Sequence, residues 1–408
     1  MFENIVGQDE VVERLREDFA AETLPAAMLF NGPEYSGKLS TALELSRVLT
    51  CTGDRSWQCR CRACSLNREL LHPRLQLLGS RYFVQEILTS GEALKTKTTR
   101  GTAYLFVRAV RKLLRRLDPV LWEGEENRLG KALENLSVTE EAMEPIVRVA
   151  ATGQGTEQNL SSQIDAVREA AFRTLSALPP DLVPVSVIRR LTSWLHGSAE
   201  GSRFVIVESV DQLGDASINA LLKVLEEPPP DCWFVLTTSR KGAVLPTIRS
   251  RSRDYRFRER PNPVAGEVIR KVFRGPESFE GGIRDYFLQQ EFPGTGSLRS
   301  HAEHFLEGCL DPPEDAREQV EQNAPHRRVA EALAAVPERE ALRHFLQELL
   351  NVLSEVLRAE DRNVRFVIPR ARIDRWREII SEHFDRSSRL NMRLDLLLHS
   401  LYYRMKSA

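Results

Sequence analysis

No run of eighteen or more apolar residues occurs in the 408-residue chain, so a helix crossing a bilayer is not expected. Nor does the acidic stretch "MFENIVGQDE" carry the basic and apolar regions of a secretory signal, and a cytosolic, cytoplasmic protein is the expectation. An excess of charge is missing too. The 57 Lys and Arg against 58 Asp and Glu leave a net charge of −1, which supplies no overall attraction to nucleic acid, so any basic surface has to be local. Internal repeats and low-complexity tracts are absent. Cysteines are few, six in all, and four of them fall between Cys51 and Cys64. In a reducing compartment that clustering points to a metal before it points to disulfides. Cys232 and Cys309 stand alone in apolar or helical surroundings and read as buried thiols.

What is there is ordinary in bulk: 42% hydrophobic and 28% charged residues describe a globular chain, and its length suits two or three domains. Periodicity gives the class. "DEVVERLREDFA" repeats at helical spacing, "AAMLF" is a short buried strand, and "KLSTALELSRVL" is helical again. After the cysteines, "HPRLQLLG" reads as another strand. From about residue 81 to 184 the texture turns to helices without evident strands. Alternation then returns with "SVIRRLTSWLHG" as helix, "RFVIVES" as buried strand, "DASINALLKVLEE" as a helix halted by Pro228, Pro229 and Pro230, and "CWFVLTTS" as strand. Beyond about Pro261 no strand is expected. The fold class is therefore α/β, with a helical insertion and an all-helical C-terminal part.

In the first strand–loop–helix step, "LFNGPEYSGKLST" matches G-x-x-x-x-G-K through Gly32, Gly37 and Lys38. Backbone N–H groups and a helix N-terminus surround phosphates in such a loop while the lysine reaches the outer ones. The magnesium-holding hydroxyl after the lysine is missing, because Leu39 stands there. Ser40 comes one residue late, about 100° further round the helix. Hydrolysis also requires acids at the end of a second buried strand, for metal and for water. "FVIVES" offers Glu208 as a metal ligand, but Ser209 brings no second carboxylate, and Asp211 is displaced by two residues. Hydrolysis by this chain alone is not expected. ATP held without turnover and a strand-to-helix turn that binds nothing both stay open.

Cys51, Cys59, Cys61 and Cys64 give C-x7-C-x-C-x2-C. Four thiolates close a tetrahedral zinc site with no open position, so a structural Zn2+ is expected.

The stretches "VIVESVDQLGDASINALLKVLEEPP" and "TTSRKGAVLPTIRSRS" resemble the clamp-loader branch of the AAA+ proteins, the branch of the bacterial DNA polymerase III delta-prime and gamma/tau subunits. "NALLKVLEEPP", Asn219 to Pro229, is the most distinctive piece, and "IVGQDEVVERL" is similar to the family's opening segment. The resemblance covers about residues 1–79 and 185–260, the C-terminal third loosely, and residues 80–184 not at all. It implies an AAA+ P-loop domain with a parallel sheet built from 1–184 and 185–260, with a small zinc module at 50–66 and a helical insertion at 80–184. A helical lid at 261–310 and a C-terminal helical collar at 311–408 would follow. The implied roles are a γ-phosphate sensor at the strand end Thr237–Thr238, carried by Thr238, and a second sensor at Arg299 in "GSLR". A third is an arginine finger at Arg251, between Ser250 and Ser252 where the family has Ser-Arg-Cys. The resemblance directs that arginine to a neighbouring subunit's nucleotide, where a guanidinium stabilises charge spreading over a phosphoryl group in transit. The cysteine module also resembles the family's, with its middle pair one residue closer.

In the insertion, "AYLFVRAVRKLLRRL" sets Phe106, Ala109, Val110, Leu113 and Leu117 on one face and Arg108, Arg111, Lys112 and Arg115 opposite. With Arg116, Lys95, Lys97 and Arg100, that stripe is either the wet side of an amphipathic helix or a contact to phosphate backbone. The segment as a whole is expected to be a docking surface. Together these readings describe a delta-prime-like, mainly non-hydrolysing subunit in a hetero-oligomer with gamma/tau-type ATPases and a delta-type subunit. It would reach primed DNA and the sliding clamp through the complex, with no membrane involved. A gamma/tau-like ATPase and a stand-alone zinc-bearing DNA-binding module are the alternatives.

Overall fold

Four of the strands are runs of Leu, Val, Ile and Phe with nearly every residue buried, as a parallel sheet covered on both faces demands. They are β1 (Ala27–Asn31), β2 (Leu75–Gly79), β3 (Arg203–Glu208) and β4 (Cys232–Thr238). A fifth, β5 (Arg253–Arg256), completes a sheet of order β2-β3-β4-β1-β5 in which every pairing is parallel. The structure is a computed structural model that describes residues 1–153, 159–179, 182–197, 201–279, 281–291, 298–310, 324–333, 338–358, 368–389 and 393–408.

Alternation along the strands divides the core. Met28, Phe30, Phe204, Ile206 and Val235 join one buried cluster with Leu15 of α1 (Asp9–Ala20) and Leu39 and Leu43 of α2 (Lys38–Thr50). Ala27, Leu29, Val205, Val207 and Phe234 join a second cluster on the opposite face. The register then sets the working edge: Asn31 lies opposite Thr238 on one side and Arg256 on the other, while Gly79 lies opposite Glu208. The segments leaving β1, β2, β3 and β4 therefore gather at one edge, the place where parallel sheets bind ligands.

The cysteines lead into α3 (Arg62–Arg68). Beyond β2 come α4 (Val84–Thr96), α5 (Arg100–Leu114), the short α6 (Pro119–Trp122) and α7 (Glu126–Leu129), then α8 (Lys131–Thr152) and α9 (Leu160–Ser176). Of these, α4, α5, α8 and α9 pack on one another. Next in the chain are α10 (Val185–Leu195), then α11 (Asp215–Glu226) between β3 and β4, then α12 (Pro246–Arg251), α13 (Asn262–Lys271) and α14 (Ile283–Glu291). Leu191 and Leu195 of α10 share the second sheet-face cluster with Leu221 and Leu225 of α11.

The chain divides into two units, Met1–Tyr286 and Phe287–Ala408. The second contains α15 (Leu298–Leu310), α16 (Pro325–Leu333), α17 (Glu338–Arg358), α18 (Arg370–Arg389) and α19 (Leu394–Lys406). Its core is aromatic: the Phe305 ring meets Phe345 and Tyr402 edge-on at 5.3 and 5.4 Å, and the Trp376 Nε1–H donates to the Met405 carbonyl at 2.7 Å. As expected, no strand follows Pro261 among the described residues. No described helix is long and apolar enough to cross a membrane.

Two features depart from the sequence reading. The first is β5, which escapes a hydrophobic-run criterion because "RDYR" buries only Tyr255 and pairs with β1 alone. The second is the cationic side of α5, which is neither wet nor free for phosphate. Arg108 donates to the Arg68 carbonyl at 2.6 Å and Arg111 to the Glu69 carbonyl at 3.0 Å, at the C-terminal end of α3. Arg115 donates to the Leu75 carbonyl and Arg116 to the Leu78 carbonyl at 2.9 Å, while Lys112 pairs with Glu86. Open carbonyls at a helix end and at a strand attract cations for the same electrostatic reason that phosphate does. The helix is thus bonded to the α3 end and to β2. Of the outlying cations, Lys95 pairs with Asp165 at 2.7 Å and Arg100 donates to the Ala150 carbonyl at 3.0 Å.

Phe234 is fully buried in the central strand β4. Phe234→Ala should destabilise the first unit by about 3–5 kcal/mol, read as a lowered midpoint in urea unfolding; a shift under about 1 kcal/mol would mean the sheet is not the core of this unit.

Candidate functional site

β1 runs straight into residues 32–37, and α2 begins at Lys38 with Gly37 as its cap at φ 96°. That φ lies in a region L side chains rarely adopt, so glycine suits the turn. The loop has the strand–turn–helix form of a phosphate cradle, but cations occupy it. Lys38 Nζ donates to the Gly32 carbonyl at 2.7 Å, to the Pro33 carbonyl and to Ser36 Oγ at 3.4 Å. Burial holds this ammonium down to about 8, against the opposing pull of Glu34 and Glu208. Arg260 approaches the same loop, donating to the Tyr35 carbonyl and, at 2.9 Å, to the Val6 carbonyl. Leu39 turns into the core cluster and Ser40 is exposed. The late hydroxyl thus lies on the solvent side of α2.

Glu208 ends β3 as expected, and both its carboxylate oxygens are engaged. Arg81 donates to Oε1 at 3.0 Å and Arg116 pairs with Oε2. The side chains of Arg116 and Glu208 are 1% and 8% exposed, so this is a buried ion pair. Arg81 also binds Glu86 at 2.9 Å, and Glu86 takes Lys112 on its other oxygen. Burial alone would raise the Glu86 carboxyl, yet Lys112 and Arg81 hold it down to about 2. Burial likewise lowers Lys112 to about 8. These three cations and two carboxylates form one network behind the cradle. No local pattern announces it, since Arg81 and Arg116 lie 127 and 92 positions from Glu208. Ser209 adopts φ 52° and its hydroxyl donates to the Ser80 carbonyl at 3.1 Å.

The other named residues divide. Thr238 Oγ1 donates to Asp211 at 2.7 Å and accepts the Arg240 backbone N–H at 2.9 Å, while Arg240 pairs with Asp211 at 2.8 Å. Thr238 is therefore beside the loop, next to Asn31, with its hydroxyl engaged. Thr237 is buried one position earlier. Arg251 ends α12 with its side chain 34% exposed, pairs with Glu226 of α11 at 2.6 Å and donates to the Thr247 carbonyl at 3.0 Å. Arg299, in the second unit, binds Glu303 at 2.9 Å and Glu355 at 2.5 Å. Gly296 and Ser297 of its motif lie outside the described residues.

The four cysteine sulfurs lie within 4.8 Å of one another, with Cys51 at 3.6 Å from Cys59 and 3.8 Å from Cys61. Four thiolates around one tetrahedral zinc stand about 3.8 Å apart, so the donor set fits that ion. The close C-x-C spacing does not keep Cys59 or Cys61 out. A Cβ at Gly53 would lie 2.7 Å from Cys59 Sγ, so the glycine leaves room for it. Neighbouring groups donate to the sulfurs: the Gly53 N–H to Cys51 at 3.3 Å, the Cys64 N–H to Cys61 at 3.4 Å, and the buried Arg47 to Cys64 at 3.1 Å. Such outer contacts orient metal ligands and offset thiolate charge.

Comparison with known proteins gives a consistent relation. The family described as "DNA polymerase III, delta subunit" matches residues 7–107 and 141–261, more than half of the chain. DNA polymerase III subunit delta' of Escherichia coli is 40% identical over 83 residues, 20% of this chain and 25% of that protein. Its counterpart in Haemophilus influenzae is 33% identical over 101 residues, 24% of this chain and 31% of that protein. The gamma/tau subunit of Mycobacterium bovis is 46% identical over 70 residues, 17% of this chain and 12% of that protein. The chain thus matches less than a third of the length of each relative. The family match also corrects the expectation that 80–184 has no counterpart. It runs on to 107 and resumes at 141, leaving 108–140 outside.

Metal analysis of the purified chain should find one zinc, and Cys64→Ser should reduce zinc content and lower the thermal midpoint. A fully folded, zinc-free protein with an unchanged midpoint after chelation would contradict a structural ion.

Proposed function

The chain belongs to the DNA polymerase III delta subunit family, and from that membership we propose that it is a delta-prime-like clamp-loader subunit that does not itself hydrolyse ATP. One observation carries the silent part of the reading: Leu39 lies in the core cluster at the position where the loop's magnesium-holding hydroxyl belongs. A working site presents lysine and a hydroxyl to phosphate and magnesium; here the lysine is kept and the hydroxyl is replaced.

In this reading the subunit acts in a hetero-oligomer with gamma/tau-type ATPases and a delta-type subunit, and the complex places a sliding clamp on primed DNA. Residues 261–310 serve as the lid and 311–408 as the collar. Cys51, Cys59, Cys61 and Cys64 hold a structural zinc with no open coordination position. Arg251 is the catalytic contribution, offered to the nucleotide of a neighbouring subunit. Its partial exposure and its tether to Glu226 support that role, because an exposed ion pair of this kind is worth about 0–1 kcal/mol and gives way readily to a phosphate. Gly32, Gly37, Lys38, Ser40, Glu208, Thr238 and Arg299 then mark a nucleotide site kept as architecture. The gamma/tau-like alternative draws on the 46% identity to a gamma/tau subunit, but it requires a magnesium ligand where Leu39 stands, and Ser40 comes one residue later, about 100° further round α2.

Arg251→Ala in the reconstituted assembly tests this function. An arginine supplied in trans is worth about 10³-fold or more at the site it serves. The variant should assemble normally while the complex loses that site's share of ATP turnover; an unchanged rate would remove the finger role.

A further inference from the structure

Resting on the zinc reading of the four-cysteine module, we propose that Arg47 is a positioning residue of that centre, setting its affinity for the metal by presenting a fixed positive charge to the Cys64 sulfur. Zinc with four thiolates carries two net negative charges, and burying them is costly unless donors and cations stand close by. The backbone N–H groups of Gly53 and Cys64 serve Cys51 and Cys61. The charged donor is Arg47: its Nη1 lies 3.1 Å from Cys64 Sγ, and Arg47 and Cys64 are 1% and 0% exposed.

The guanidinium is aimed as well as accommodated. Glu44, one turn earlier on α2, accepts from its Nε at 2.9 Å and from its Nη2 at 2.6 Å, a two-point grip that fixes the plane of the fork. Nη2 also donates to the Arg55 carbonyl at 2.9 Å. Arg55, at φ 60°, lies in the turn between Cys51 and Cys59. The donations thus reach the helix capped by Cys51, the turn that leads to Cys59, and the sulfur on α3. A buried arginine needs only Glu44 for neutrality. The further bond to sulfur makes the ion pair a dipole with its positive end on the ligand, and the bond to Arg55 holds the cysteine turn to the same helix. Lysine, a point charge without a planar fork, could not span these acceptors. A second buried link joins α2 to α3 without Arg47: Ser46 Oγ donates to Asn67 Oδ1 at 3.0 Å, and Asn67 Nδ2 to Thr50 Oγ1 at 2.8 Å. The helices are therefore expected to stay together when the arginine is replaced.

The test compares the unaltered full-length chain with Glu44→Gln, and with Glu44→Gln combined with Arg47→Met, which leaves no unpaired buried charge. Zinc affinity is read by competition with a chelator, at a temperature where each protein is folded. Glu44→Gln is expected to stay within about threefold of the unaltered chain, since the glutamine oxygen still accepts from the arginine. The double variant is expected to lose about 10–100-fold, the usual effect of removing an outer contact to a metal ligand. With Co2+ in place of zinc, its thiolate-to-metal charge-transfer bands should also move to lower energy, because a sulfur without a charged donor gives up electron density more easily. A role confined to packing would leave those bands where they are. Equal zinc affinities in the two variants, or unmoved bands, overturn the proposal. Where the double variant does not fold, the unaltered chain carrying a spin-active cadmium isotope serves. An Arg47 guanidinium proton should then show scalar coupling to the metal across the sulfur, as the Gly53 and Cys64 backbone protons should. Coupling from the backbone protons alone overturns the proposal. An unaltered chain that takes up no zinc ends instead the zinc reading on which it rests.

Discussion

A carboxylate at the buried end of a central parallel strand cannot stand alone, and much of the C-terminal edge of this sheet follows from how Glu208 is neutralised. The two guanidiniums come from opposite ends of the segment between β2 and α6: Arg81 directly after β2, Arg116 just beyond α5. To deliver Arg116, α5 must lie against the sheet edge, and the carbonyls of Leu75 and Leu78 hold it there through Arg115 and Arg116. Further up the helix, Arg108 and Arg111 bind the end of α3, which follows directly on the cysteine cluster. One helix side thus ties the four-cysteine module, the strand β2 and the acid of β3 into a single frame. Breaking a buried pair of this kind by removing one partner costs about 3–5 kcal/mol, a large fraction of the stability of a typical domain.

The strand-to-helix loop at Gly32–Lys38 is likewise held by internal cations. In a nucleotide-filled cradle the backbone N–H groups and the lysine converge on phosphate oxygens. Here the loop offers its carbonyls at Gly32, Pro33 and Tyr35, and Lys38 and Arg260 take them. Strand, glycine turn and helix also build the core: Leu39 of α2 packs into the cluster on one sheet face, and Phe30 sits between Tyr255 and Phe257 at 5.6 and 5.1 Å.

The sequence disclosed this unevenly. Strands made of unbroken apolar runs, such as "FVIV" and "FVL", were legible because burial on both faces leaves no room for polar residues. The loop at Gly32–Lys38 and the loss of its hydroxyl at Leu39 were readable because that chemistry depends on adjacent residues. The four cysteines were readable for the same reason. β5 was not, since an edge strand with one buried side chain, Tyr255, has no hydrophobic signature. The cationic side of α5 was misjudged for a physical reason. Amphipathic periodicity reports where apolar groups go, but it cannot tell water from a row of carbonyls as the partner of arginine. Pairings such as Arg116 with Glu208 depend on tertiary closure and leave no local trace.

Phosphate release from ATP by the purified chain with magnesium, with no other subunit present, tests the central claim most directly. The account predicts a rate no greater than that of a Lys38→Ala variant, both at background. Turnover well above background in the unaltered chain, abolished by Lys38→Ala, would contradict it.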